Sequence, residues 1–241
     1  MLADSYSRFS QSGVVGKSVN LQASFLYELL DFIADELPSW RDRIDRDEED
    51  AETALTAQLC AHLTSVARMR KGWDILQFRT EVPDEVNKGR KIDLVPSACA
   101  STIYVDGRRC TEFDILLPIE CKRLPTPKQK DRDEREYVVT QNSSTGGIQR
   151  FKLGHHGSRH KLGAMIAYIQ QGSATVWFDT ITTWVENLVQ SNEPHWSNQD
   201  TLTLVESDQD SRISIYRSKH TRTQNLDAIE LRHLWLEMNR L

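Results

Sequence analysis

Residues 119–124, Ile-Glu-Cys-Lys-Arg-Leu, place a carboxylate and an ammonium two positions apart at the end of an apolar run. In an extended strand alternate side chains share a face, so Glu120 and Lys122 point one way and Cys121 the other. Cys121 then reads as a small core residue rather than a nucleophile. An E-x-K triplet alone is a weak signal, since a chain of this size and composition holds about one by chance. A second carboxylate on the same face would give it chemistry, and the chain offers one. Asp106-Gly107 is a hairpin turn dipeptide, because both residues tolerate positive φ. With those two as the loop, Val105 pairs with Arg108, paired positions add to 213, and Asp93 falls opposite Glu120. Opposed residues of an antiparallel pair hold their Cβ atoms about 5 Å apart on one face. Two carboxylates that close repel unless a cation sits between them, and a hard divalent ion such as Mg²⁺ suits them. A three-residue loop would shift the register by one and turn Asp93 away. Pro96 and Pro118 also interrupt ladder bonds nearby. The rival acid, Asp114, is six residues from Glu120. That is about 20 Å along a strand, too far to share an ion.

The elements that must position these groups can be read from periodicity. Residues 21–40 have helical apolar spacing and are expected to stop at Pro38; 41–50 read as a charged connector. Residues 48–69 form a second amphipathic helix, with Ala54, Leu55, Leu59, Leu63 and Val66 in one stripe, acids in the first turn and Gly72 closing it. Strand-like chain follows at 73–82, 91–105 and 110–123. A short helix is expected at 146–154, a buried strand or helix at 162–170, and a helix at 175–190. The closing elements are 211–220, a strand, and 228–238. Helix, three strands, helix, strand implies an α/β fold: a mixed central sheet flanked by helices.

The 241 residues, 39% hydrophobic and 27% charged, suit a folded core. No apolar run approaches the roughly 18 residues that span a bilayer. The first twenty residues lack a basic start and an apolar block, and the four cysteines form no C-x-x-C pair. A cytoplasmic setting with no membrane partner is the expectation. Net charge is −5, yet residues 1–60 hold 5 Lys/Arg against 12 Asp/Glu, whereas 122–161 hold 10 against 4. One face is thus suited to phosphates and another to solvent or a partner.

Asp93, then Glu120-x-Lys122, preceded by a helix carrying Glu52, resembles the PD-(D/E)xK nuclease superfamily, the restriction-endonuclease-like fold with an αβββαβ core. Residues 119–124, Tyr137-Val138, "GIQRF" (147–151), "GAMIAYI" (163–169), "SKHTR" (218–222) and "IELRHLWL" (229–236) are similar to a group of bacterial defence-associated nucleases. The resemblance spans roughly 48–238. It implies a nuclease-like domain over 48–241 and a helical extension over 1–47. The proline that precedes the metal-binding Asp in the family is Ile92 here.

By this resemblance Asp93, Glu120 and the Cys121 carbonyl hold Mg²⁺, with Mn²⁺ able to substitute, and Lys122 orients the attacking water or stabilises the anionic transition state. Glu52, with Glu49 as its rival one turn away, is expected to assist at the ion. Arg123, Tyr137, Gln149, Arg150 and Lys152 are expected to meet nucleic acid, DNA in preference to RNA. "GHHGSRH" (154–160) places His156 and His160 at i, i+4, but Gly157 and Ser158 suit a helix poorly and no third ligand completes a zinc site. A flexible, basic, phosphate-facing loop is expected instead. The acidic N-terminal third is expected to dock a partner: an ATPase or sensor subunit, or a second copy as a homodimer. The alternative function is a non-catalytic nucleic-acid-binding or scaffolding subunit.

Overall fold

Strand β7 (Leu162–Ile169) is buried along its whole length, and the fold is built outward from it. The computed structural model describes residues 17–128, 132–141 and 143–239. In chain order these form β1 (Lys17–Leu21), α1 (Phe25–Arg41), α2 (Glu52–Met69), β2 (Leu76–Pro83), β3 (Lys91–Ala98), β4 (Ser101–Val105) and β5 (Arg108–Cys110). There follow β6 (Ile119–Leu124), α3 (Gly147–Lys152), β7, α4 (Ala174–Gln190), β8 (Thr203–Asp208), β9 (Ile213–His220) and β10 (Ile229–Glu237), with a 3₁₀ turn at Asn198–Asp200. The architecture is mixed α/β, as the pattern of elements predicts.

One seven-stranded sheet runs β2-β3-β6-β7-β10-β9-β8. The β2–β3 and β3–β6 pairs are antiparallel, β6–β7 and β7–β10 parallel, and the last two pairs antiparallel. Parallel neighbours need a crossover, and α3 lies in the one between β6 and β7. A smaller sheet, β1-β4-β5, carries the hairpin.

The hairpin turn has the expected form, with φ of 49° at Asp106 and 75° at Gly107, and Val105 opposes Arg108. The same offset reappears at Leu94–Ile119, so Asp93 does stand at the position opposite Glu120. The long strands expected over 91–105 and 110–123 are each broken, however. Their outer arms, β4 and β5, belong to the small sheet, and residues 111–118 are turns and coil.

The two faces of the large sheet are covered separately. On one, Leu29, Ile33, Leu37 and Trp40 of α1 and Leu55, Leu59 and Leu63 of α2 pack with Ile119, Cys121, Ile166 and Leu234. On the other, Ile148 and Phe151 of α3 and Ile181 and Val185 of α4 pack with Met165, Ala167 and Trp235. A boundary at residue 47 therefore falls in a linker within one continuous core. Helix α1 also passes Pro38 and runs to Arg41, which corrects the expected stop. Trp40 is buried, and the Arg41 guanidinium donates to the Ser211 and Glu237 carbonyls at 2.9 and 3.1 Å. These contacts offset the one helical bond that proline removes. No described helix is long and apolar enough to cross a membrane.

Candidate functional site

Strands β3 and β6 share a single ladder position, Leu94–Ile119, and then part. Beyond it the β6 backbone N–H groups facing β3 need other acceptors, and two carboxylates supply them. Cys121 N–H donates to Asp93 Oδ2 at 2.8 Å, and Arg123 N–H donates to Glu52 Oε2 at 2.9 Å. Asp93 is free to do this because the β2–β3 ladder also skips it, at Glu81 with φ +54°. Glu52 reaches in from the first residue of α2, whereas Glu49 lies exposed in the linker before it.

Lys122 fills the space so created. Its Nζ stands 2.8 Å from Glu120 Oε1, 2.9 Å from the Cys121 carbonyl, 3.2 Å from Glu52 Oε1 and 3.7 Å from Asp93 Oδ2. Three carboxylates from three elements thus surround one ammonium. Glu120 is fully buried, and its Oε1 also meets the Arg150 guanidinium at 2.5 Å, while Oε2 lies 3.0 Å from His156 Nδ1. Burial raises the Glu120 pKa, but Lys122, His156 and Arg150 outweigh it and hold the carboxyl well below its usual range. Asp93 goes the other way: burial and the neighbouring Glu120 push it up to about 7, against the pull of Lys122. Burial would lower Lys122, yet Glu120, Asp93 and Glu52 hold it well above the ordinary value.

The donor set suits a hard divalent ion: three carboxylates and a carbonyl, all oxygen. Glu120 Oε2 is buried and makes no hydrogen bond; its close polar neighbour is His156 Nδ1 at 3.0 Å. Among the described residues no three His, Cys, Asp or Glu side chains already stand in a metal-holding arrangement; the middle of the group is taken by Lys122 Nζ.

The residues expected to meet nucleic acid divide. Arg150, part-exposed, joins the cage through Glu120, and Arg123 is half-buried beside it. The Gln149 side-chain oxygen accepts the Gly146 and Thr140 N–H groups and so caps α3. Tyr137 and Lys152 correct the expectation, because both are buried and belong to a second polar cluster. Lys152 Nζ donates to Asp200 Oδ1 at 2.5 Å, and His220 Nδ1 meets the same oxygen at 2.6 Å. Ser218 Oγ lies 2.6 Å from His220 Nε2 and 2.7 Å from His233 Nε2. Tyr137 Oη lies 2.8 Å from His233 Nδ1 and accepts from Trp235 Nε1 at 2.7 Å.

The donors in this chain can be assigned by counting. Indole N–H only donates and carboxylate only accepts. Trp235 therefore gives to Tyr137, Tyr137 to His233 Nδ1, His233 Nε2–H to Ser218, Ser218 to His220 Nε2, and His220 Nδ1–H to Asp200. Each histidine must be neutral for this to close. Burial agrees, lowering the pKa of His220 despite Asp200 and that of His233 further, with His220 adding to the effect. Ser-His-Asp contacts of this kind are otherwise associated with nucleophilic catalysis, but here all three side chains are buried.

The 154–160 loop also corrects the reading from sequence. His156 and His160 are buried, not displayed to phosphate. Local sequence could not reveal that His156 reaches Glu120; the one cue was Gly154 and Gly157, with φ of +67° and +60°, which shape the loop. Set against protein-family models, curated proteins and solved structures, the chain matches none of them.

Proposed function

We propose that this protein is a metal-dependent nuclease of the PD-(D/E)xK type, hydrolysing phosphodiester bonds, with DNA as the first substrate to test. One observation carries the reading: Glu52, Asp93, Glu120 and the Cys121 carbonyl converge on a single cationic centre where β3 and β6 part. The order α2-β2-β3-β6-α3-β7, with antiparallel, antiparallel and parallel pairing, supports it, being the αβββαβ order expected of that superfamily.

Asp93, Glu120 and the Cys121 carbonyl would hold Mg²⁺ or Mn²⁺. Such an ion, when bound, would polarise the phosphodiester and lower the pKa of a water. Lys122, released from the carboxylates, has three N–H donors to offer a phosphate oxygen or the attacking water. Glu52 keeps the Arg123 N–H and the start of α2 in register with the strand. Arg150 holds Glu120 and, being part-exposed, faces outward as a second phosphate donor. The acidic composition of the first sixty residues and an anti-phage or restriction role, with an ATPase, sensor or second copy as partner, extend the proposal.

A second reading, a nucleic-acid-binding or scaffolding subunit, draws on the same geometry, since Lys122 already neutralises the cage. Cleavage of supercoiled plasmid, linear duplex, single-stranded DNA and RNA with Mg²⁺, Mn²⁺ or EDTA separates the two. Metal-dependent cutting that is lost in both Asp93→Ala and Lys122→Ala is the expected result. Absence of both cutting and Mn²⁺ binding would leave the scaffold reading in its place.

A further inference from the structure

The loop between α3 and β7 is held from several sides. Gly157 N–H donates to Asp84 Oδ2 at 3.3 Å, and the Arg222 guanidinium donates to the Gly157 and His160 carbonyls, both at 3.0 Å. The His155 and His156 N–H groups return to the Arg150 carbonyl. Gly157 takes positive φ with its α-carbon packed on Pro118, where an added Cβ would come within 2.8 Å of the ring. Pro118 immediately precedes β6, so the loop is seated against the start of the strand that carries Glu120.

All this aims one side chain. His156 is 1% exposed, its ring set edge-on to Phe151 at 6.1 Å, and its Nδ1 lies 3.0 Å from Glu120 Oε2. Neither atom makes a hydrogen bond, so the two meet as a close polar contact at 3.0 Å. The other oxygen, Oε1, is held by Lys122 and Arg150. The two oxygens of one carboxylate are therefore gripped by different elements: Oε1 from β6 and α3, Oε2 from the loop.

We propose that His156 is a positioning residue, fixing the rotation of the Glu120 carboxylate so that it presents an oxygen to the divalent ion; the inference rests on the nuclease reading above. A carboxylate held only through Oε1 can swing about that contact. A buried nitrogen at Oε2 removes the swing, as groups behind metal ligands commonly do, and loss of such a group typically weakens metal affinity about 10–100-fold.

Two substitutions separate the nitrogen from the ring. His156→Phe keeps the bulk beside Phe151 and removes the nitrogen; His156→Asn keeps an amide nitrogen near the Nδ1 position and loses the ring. Mn²⁺ binding is measured by electron paramagnetic resonance titration of the full chain, with circular dichroism and melting recorded alongside. His156→Phe is expected to weaken Mn²⁺ binding about 10-fold or more with the fold intact, and His156→Asn to restore it to within about 3-fold of wild type. In cleavage assays the Phe variant should lose kcat at limiting Mn²⁺, recover at saturating Mn²⁺, and keep its KM for DNA. Equal Mn²⁺ affinity in wild type and His156→Phe would overturn the positioning role and leave the nuclease reading standing. A wild type that neither binds Mn²⁺ nor cuts would overturn both.

Discussion

Two buried polar clusters lie on one face of the large sheet, separated by a single strand. Across the ladder Glu120 stands beside Met165 and Met165 beside His233; Lys122 stands beside Ala167 and Ala167 beside Trp235. Helix α3 spans both, sending Arg150 to Glu120 and Lys152 to Asp200. Yet the two solve burial differently. The Lys122 cage holds three carboxylates together through a cation, and its geometry depends on charge. The Tyr137–His233–Ser218–His220 chain is uncharged along its middle, and its geometry depends on each proton having one acceptor. A cage built on charge can exchange its cation for another. A chain built on proton count has one arrangement, and suits a structural role.

The largest expected effect tests the exchangeable half. Lys122→Ala should lower cleavage about 10²–10³-fold, the range for losing one preorganised donor to a transition-state charge, while Ser218→Ala changes the rate of the folded fraction little. Equal losses of rate in the two variants would end the distinction.

Stability should fall in the second cluster without any change at the first. Ser218→Ala leaves His220 Nε2 and His233 Nε2 buried without partners, at about 1–3 kcal/mol each, so chemical denaturation should report a loss of about 2–6 kcal/mol. Mn²⁺ affinity should be unchanged. Trp235→Phe removes the donor to Tyr137 together with part of a buried ring packed on Tyr216, and should cost about 2 kcal/mol or more, seen in the same titration.

The pH dependence of stability, measured in EDTA, should separate Asp93 from the two histidines by sign. Asp93 has a pKa raised to about 7 in the fold, so folding takes up a proton and this group's contribution falls as pH rises from about 4 to about 7. His220 and His233 are lowered in the fold. The unfolded chain binds more protons there, so their contribution is complete above about 6.5 and lost as pH falls below it. Asp93→Asn should therefore leave a stability curve that rises more steeply with pH through that window. An unchanged slope would show that the cage carbonyls and cations, not the Asp93 proton, govern the acid limb.

The cage was legible in the sequence for a specific reason. The turn at Asp106-Gly107 fixes an offset, and the two arms running from it to Leu94 and Ile119 have the same length. The register thus survives even though β4 and β5 leave for another sheet. Period-two alternation then placed Glu120 and Lys122 on one face. The proton chain offered no such rule. Lys152 meets Asp200 across 48 positions and Tyr137 meets His233 across 96, and nothing local marks either pair. Basic and aromatic residue types near a candidate site suggest nucleic-acid contacts; for Lys152 and Tyr137 burial decides otherwise. Strand β8 is exposed along its whole length and ends in Glu206-Ser207-Asp208, which carry no apolar face, and β1 pairs with β4 from outside the main sheet.

Strand β7 has a consequence for how the chain is made. Its two parallel neighbours are β6, which precedes it, and β10, which lies at Ile229–Glu237. A chain emerging from the ribosome can close the acid cage from α2, β3, β6 and α3 and the loop bearing His156 while the far side of β7 still awaits its partner. Through that interval a strand of eight residues, all buried in the finished fold, presents an open ladder edge, the kind of surface that recruits other strands. Arrival of β10 closes that edge and brings His233 and Trp235 into place together. The strand that covers this edge is therefore also the one that completes the proton chain.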